Sequence, residues 1–517
     1  MRWGSGGPGT AVKETAFRPL LYPTFPAAAL VIRLFYLPFL ELIPEEAYYW
    51  QYAQNLAWSY LDHPPLVGWL IYLSTRIFGV NEFGVRIGAS ICWLVGVLFV
   101  YKLTLKMSGR DALWIALGLY AVLPYFFGAS FFISPDAPLM ACWAAVLYYF
   151  YRALIEKQSL AFLAAGLFGG LGMLSKYTIL FLALAALVYM VLDRESRRWF
   201  KRSAPYAGAL LAVLLFTPVL LWNAEHNWAS FAFQGARRLQ SSLRCSLHLY
   251  LLNAVYLVTP IGVLAAGWLF WLWRRAPLPA RPEEKEEKRR RLFVLLFFWL
   301  PFGVFALYSL RHVPKLNWAG PSFLVLLPAL AFQVAAVPAG RMEKWLGRLW
   351  VATLGILLFL YLITFHYASF GLPGIGYSPR MQRFIGWRSL AEQVYDLALR
   401  LPEASVIVGM DKHNIASELA FYIQILALKR GRQTELVSGR HLFGRESLMH
   451  KYWTSSKALQ GKTLIMVARK ETDLETQSLA GFFARLGPLK RIETTHNFKA
   501  VGTFFYRLGY VYRPPVS

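Results

Sequence analysis

The sequence predicts a mostly α, polytopic membrane protein that ends in a small soluble α/β domain. Three observations carry this. Of 517 residues, 57% are hydrophobic and 16% charged, against roughly 45–50% and about 25% in ordinary soluble domains. The apolar residues gather into runs of the length a helix needs to cross a bilayer, about 20 residues. After about Phe370 the runs stop and a mixed pattern begins. A mean hydropathy of +0.41 excludes a disordered chain, a collagen and an ordinary soluble enzyme.

Taken in order, residues 1–20 read as a cytoplasmic N-terminus without the shape of a cleavable signal. Spans are expected near 21–40, 84–105, 112–132, 137–153, 204–222, 250–273, 292–310, 317–337 and 346–366. The stretch 160–192 is interrupted by Ser175, Lys176 and Tyr177. It is too long for one span and short for two, so two short helices with Lys176 at the turn are expected. That makes about eleven transmembrane helices in a membrane domain over 21–370. With the N-terminus inside, the inner segments 1–20, 102–110, 152–157, 193–202, 274–291 and 339–348 hold 24 Lys and Arg, and the outer loops before Phe370 hold about eight, counting Arg86 at the start of a span. The positive-inside rule favours this orientation. The run RRAPLPARPEEKEEKRRR is then a solvated cytoplasmic charge run. The net charge of +26 is explained by topology, and no nucleic-acid partner is expected. Residues 371–517 fall outside the membrane on the outer side. There ASVIVGM and TLIMVA read as strands, and GWRSLAEQVYDLALRL and ASELAFYIQILAL as amphipathic helices. Cys92, Cys142 and Cys245 have no metal-ligand spacing.

The acids are placed differently from the bases. Glu41, Glu45, Glu46, Asp62, Glu82, Asp136 and Glu225 all fall on the predicted outer face. Acids contribute little to orientation, so their gathering points to metal or proton chemistry. In the first outer loop, 41–83, Pro44 suits the first position of a helix, with Glu45 and Glu46 in its first turn. The aromatics after them suit a helix lying in the membrane interface. Asp62 and His63 precede two prolines, which stiffen the backbone there. Ser134 suits an N-cap, with Asp136 in the first turn of the next span. Glu225 and His226, just outside a span, suit a divalent ion. Arg311 and Lys315 precede the tenth span. A cation there suits a lipid phosphate or simply snorkels to the interface. Lys176 offers another cation, and Arg33 is expected to snorkel.

The ordered set PEEAYYW, DHPPL, SPDAPL, EHNW and KLNW resembles the bacterial membrane glycosyltransferases related to protein O-mannosyltransferases, glycosyltransferase family 39. The lipid A aminoarabinose transferases share this plan. The resemblance covers roughly residues 20–340 and extends more loosely into the C-terminal region. It implies a GT-C fold and a polyprenyl-phosphate sugar donor. It also implies transfer on the outer face of the cell (inner) membrane, usually with inversion. Carried over by position, Glu45 matches the catalytic acid and Glu46 the acid beside it. Asp62 and His63 match a second acidic position and its basic neighbour. Asp136 and His226 match positions tied to metal or donor phosphate, and Lys315 a base near the lipid phosphate. The family usually has Asp then Glu in its first motif, so the general base here is Glu45 or Asp62. A divalent metal is expected, Mg²⁺ or Mn²⁺ for oxygen ligands, with Zn²⁺ open through histidine. The acceptor is left open among lipid A, another glycolipid, a surface glycan and protein Ser/Thr. The alternative is a lipid or solute transporter or flippase. It would place ionisable residues near the bilayer midplane in repeated halves; here the acids sit at span ends and no repeat is seen.

Overall fold

The computed structural model describes residues 21–235, 244–275, 282–335, 341–401 and 405–515. The expected N-terminus 1–20 lies outside the described residues, as do parts of the inner segments 274–291 and 339–348. The chain forms two compact units. The first is Met1–Leu34, Ala89–Phe131 and Pro135–Leu362; the second is Phe35–Gly88, Phe132–Ser134 and Ile363–Ser517. The first outer loop therefore belongs to the same unit as the C-terminal residues, a grouping that follows contacts rather than chain order.

The first unit is helical. Among the described residues of the whole chain, six helices are long and apolar enough to cross a membrane, from Glu82–Met107 to Arg341–Phe370. The pair Leu113–Val122 and Pro124–Phe131, bent by 58°, makes a seventh if it is counted as one broken span. The expected count of about eleven is not confirmed by length and composition, which leave the shorter apolar helices uncounted. The expected span 112–132 breaks where Pro124 withholds a backbone donor. The expected span 21–40 gives a helix only over Thr24–Tyr36. The expected pair of short helices is present, as Ala161–Met173 and Tyr177–Leu192, with Lys176 between them. Ala161–Met173 packs tightly on Ser203–Glu225: a Cβ on Gly166 would lie 2.1 Å from the Gly208 carbonyl oxygen. Such close crossings replace the hydrophobic drive that lipid does not supply. Arg33 does not snorkel. It is fully buried, donates to the carbonyls of Ser130 (2.5 Å) and Phe127 (3.1 Å), and lies over the Trp93 and Phe127 rings. A guanidinium with several buried acceptors needs no route to water.

The second unit is an α/β assembly. Its helices are α1 (Pro44–Gln54), α2 (Leu66–Phe78), α3 (Trp387–Leu399) and α4 (Asn414–Lys429). Its strands are β1 (Ser405–Gly409), β2 (Leu436–Gly439), β3 (Thr463–Ala468), β4 (Phe483–Leu486), β5 (Lys490–His496) and β6 (Lys499–Tyr512). The sheet order is β2-β1-β3-β6-β4, with β5 also paired to β6. β1 runs parallel to β2 and β3, with Val406 opposite Leu436 and Leu464. β6 runs antiparallel to β3, with Leu508 opposite Ile465. Every residue of β1 and β3 is buried, as expected for parallel strands covered on both faces. These are the two strands read from the sequence, and α3 and α4 are its two amphipathic helices. α1 is packed inside protein on most of its sides. Nine of its residues are buried; Trp50 packs edge-on against Phe421 of α4 at 5.1 Å. On another side, Gly68 of α2 approaches so closely that a Cβ would sit 2.8 Å from the Tyr52 Cβ.

Candidate active site

In the second unit the site begins with α1. Pro44 opens the helix as expected, and Ile43 is its cap residue. The Ile43 N–H donates to Glu46 Oε2 at 3.1 Å, and the Ile133 N–H donates to Glu46 Oε1 at 3.0 Å. Arg86 closes the set. Its Nε reaches both Glu46 oxygens at 2.9 and 3.0 Å, and its Nη2 reaches Oε2 at 2.5 Å. The remaining Arg86 donors go to the carbonyls of Leu37, Leu40 and Glu41. Both side chains are fully buried. Glu46 is therefore saturated, and its work is to hold the loop.

Asp62 is likewise committed. It is 7% exposed, and its Oδ1 accepts from Tyr48 Oη at 2.9 Å and Tyr52 Oη at 2.5 Å. Burial, then the Asp62 charge, pushes both phenols well above their ordinary range, so they remain donors. His63 follows, half-buried, with its ring 5.8 Å from Tyr49. Glu41 accepts from the Trp387 N–H at 2.8 Å and lies 3.2 Å from His496 Nδ1. Glu82 pairs with Arg388. Glu45 differs from all of these. It is half-exposed, and among the described residues it has no hydrogen-bond or ion-pair partner.

Glu418 of α4 is a residue that sequence reasoning passed over, although ASELAFY contains it. It is fully buried, and among the described residues neither carboxyl oxygen has a hydrogen-bond partner. Its helix is seated on α1 and its preceding loop: Ser417 Oγ donates to Gln51 Oε1 at 3.2 Å, and the Leu42 N–H donates to Tyr422 Oη at 2.8 Å. Burial first, then the charges of Glu41, Glu46 and Glu45, hold the Glu418 carboxyl well above the usual range, so it keeps its proton.

The first unit holds a second group. The helix Asp136–Leu154 is capped by Pro135, not by Ser134. Asp136 Oδ1 accepts from Lys176 Nζ at 2.8 Å, and its Oδ2 accepts from the Asn317 side-chain amide. Ser175 Oγ donates to the Pro135 carbonyl at 2.5 Å. Asp136 and Lys176 are thus brought together, and Asn317 of KLNW joins them. Lys315 and Arg311 are exposed. Glu225 is exposed at the end of its helix. His226 stacks on Trp222 at 4.0 Å, with Nδ1 2.8 Å from the Trp222 carbonyl oxygen.

Among the described residues no three His, Cys, Asp or Glu side chains gather around one point. Asp136 is engaged by a cation and an amide. No step of the reaction is assigned to a metal.

Residues 62–222 match the family model described as dolichyl-phosphate-mannose-protein mannosyltransferase. Over 190 residues the chain is 30% identical to the lipid A galacturonosyltransferase RgtD of Rhizobium johnstonii, covering 36% of this chain and 39% of that protein. Over 194 residues it is 31% identical to the undecaprenyl phosphate-alpha-4-amino-4-deoxy-L-arabinose arabinosyl transferase of Pseudomonas aeruginosa, covering 34% of each. The chain matches well under half the length of these two relatives. In structure, ArnT from Cupriavidus metallidurans bound to undecaprenyl phosphate superposes with a TM-score of 0.59 at 15% identity, covering 96% of this chain and 98% of that one. The fold is that of this solved transferase, and the matched segment and the relatives resemble a class, the multi-pass membrane glycosyltransferases of the GT-C type. Within that class the two named relatives are transferases of lipid A modification.

Proposed function

We propose that this protein transfers a sugar from a polyprenyl-phosphate donor to a hydroxyl of a lipid A-type acceptor on the outer face of the inner membrane, with Glu45 as general base. The single observation that carries the assignment is the state of Glu45. Its neighbours Glu41, Glu46, Asp62 and Glu82 are each held by partners, whereas Glu45 is half-exposed and unpaired among the described residues. A base must be open to the proton it takes. The acceptor oxygen attacks the anomeric carbon, and the bond from that carbon to the phosphate oxygen breaks. The acceptor proton passes to Glu45, and the polyprenyl phosphate leaves with the bonding pair. The leaving group is already an anion, so no second carboxyl group is needed to protonate it, unlike glycoside hydrolysis.

The cations have the complementary task. Lys176 carries a charge suited to a donor phosphate, and Asp136 fixes its position. Lys315, Arg311 and His63 are further candidates for that phosphate. Charge supplied where charge develops is usually the largest catalytic term. The outer-face orientation rests on the distribution of Lys and Arg. The names of the relatives support the lipid acceptor and the polyprenyl donor.

The test is lipid mass spectrometry of a deletion strain carrying the wild-type chain, Glu45→Gln or Asp62→Asn. The expected result is accumulation of one polyprenyl-phosphate sugar and loss of that sugar from lipid A in the Glu45→Gln strain, with the protein still in the membrane. Retained transfer by Glu45→Gln overturns the base; unchanged lipids in the deletion strain overturn the function.

A further inference from the structure

At one edge of the second unit, the β5–β6 hairpin ends in Asn497 and Phe498. Both have positive φ, 47° and 62°. Phe498 is fully exposed at 104%. Two consecutive non-glycine residues in the left-handed region are strained, and this turn presents a large apolar ring to the outside. The tip is fixed to the end of the Arg341–Phe370 helix. The Asn497 side-chain amide donates to the Ser369 carbonyl at 3.0 Å, and Lys499 Nζ donates to the carbonyls of Leu372 and Ile375, both at 2.8 Å. Ile375 and Phe370 are themselves exposed at 52% and 43%, and the half-exposed Phe39 packs its ring 5.1 Å from Phe370. Arg380 and Arg383, just beyond, are exposed bases.

We infer that this hairpin tip, with the loop that follows the helix, is a lipid-facing anchor that seats the C-terminal domain on the leaflet where the Arg341–Phe370 helix ends. The occupant is a bilayer with anionic phosphate headgroups. Three features select it. The tip is bonded to the end of a 30-residue apolar helix that is long enough to span, so it is held at the depth of the interface. Apolar side chains at that depth gain from burial among headgroups and upper acyl chains. Arg380 and Arg383 add positive charge suited to the phosphates.

Site-directed spin labelling of the full chain in lipid nanodiscs tests this. Cys92 and Cys142 are buried and Cys245 is exposed, so Cys245→Ser gives a usable background. Labels go at Phe498→Cys, at Ile375→Cys with Phe498 retained, and at Leu428→Cys as a control. Leu428 is 61% exposed at the end of α4. Oxygen partitions into lipid and a nickel chelate stays in water, so the logarithm of their accessibility ratio reads depth. A positive value at 498 and 375 with a negative value at 428 supports the anchor. A negative value at 498 and 375 overturns it. So does spin–spin broadening at 498 that grows with protein concentration, which would assign the patch to a second copy.

Discussion

Glu46 and Arg86 are the pair on which the loop geometry rests. Removing one partner of a buried ion pair leaves an uncompensated charge and costs about 3–5 kcal/mol, whereas replacing both by apolar groups is often neutral. Arg86→Met is therefore expected to lower the thermal inactivation midpoint sharply, and Arg86→Met with Glu46→Met to recover only part of it, because the Ile43 and Ile133 N–H groups and the carbonyls that Arg86 served stay without those partners. An equal loss in both chains would show that the pair itself, and not the orphaned charge, matters. Glu45→Gln is expected to leave that midpoint unchanged and to cut the transfer rate about 10²–10⁴-fold, the usual range for a general base. This is checked by initial rates with a purified donor.

Two titrating groups of the C-terminal domain act in opposite directions. Burial first, then His413 and His441, holds the His450 imidazole down to about 3. The unfolded chain takes up this proton below about 6.5. Stability from His450 is therefore present above that value and lost as pH falls toward 3, by at most about 1.4 kcal/mol per pH unit. Glu418 is the reverse. Its raised folded value means that its contribution is present below about 4.5 and is lost progressively as pH rises from there to the raised folded value. Unfolding midpoints across pH are expected to flatten on the acid side in His450→Gln. Glu418→Gln, a neutral substitute of similar shape, is expected to be more stable than the parent at pH 8. A lower midpoint at pH 8 would show that the Glu418 acid has partners of its own.

At the scale of elements, the sequence was most informative where periodicity was strong. The strands Ser405–Gly409 and Thr463–Ala468 are buried throughout because both faces are covered, and α3 alternates clearly between buried and exposed positions, whereas α4 is buried over most of its length. β5 has only two fully buried positions, too few for an unambiguous pattern. The turn at Lys176 was legible from one charged interruption in an apolar run. The roles of the acids were not legible, because their partners are remote. Arg86 is 40 residues from Glu46, Arg388 is 306 from Glu82, and His496 is 455 from Glu41. Arg86 had a usable signal, since an arginine at the start of an apolar span is costly unless paired. Lys176 links two short helices and pairs with Asp136, so Lys176→Met is expected to raise the KM for donor more than it lowers kcat. A change confined to kcat would place the lysine in the transition state only.

For the whole molecule, a boundary near residue 370 describes composition and not cohesion. The unit built on the sheet also contains residues 35–88 and 132–134. Long-range ties hold these segments to the C-terminal chain, among them Glu41 with Trp387 and His496, Glu82 with Arg388, and α1 with α4 through Gln51 and Trp50. Several are buried, where ion pairs and hydrogen bonds are least screened. A protease site placed in the exposed loop at Gly374–Gly376 cuts between the two parts in composition while leaving these ties intact. After cleavage of the purified protein in detergent, the fragment from about residue 377 onward is expected to co-elute with the membrane fragment and to keep transfer activity. A chain ended at Phe370 exposes the α1 face that holds Trp50 and leaves Glu41 and Glu82 without their partners, so it is expected to accumulate poorly and to be inactive. Separation of the cleaved fragments would show instead that the C-terminal domain is an independent attachment and that the first loop is held by the membrane helices alone.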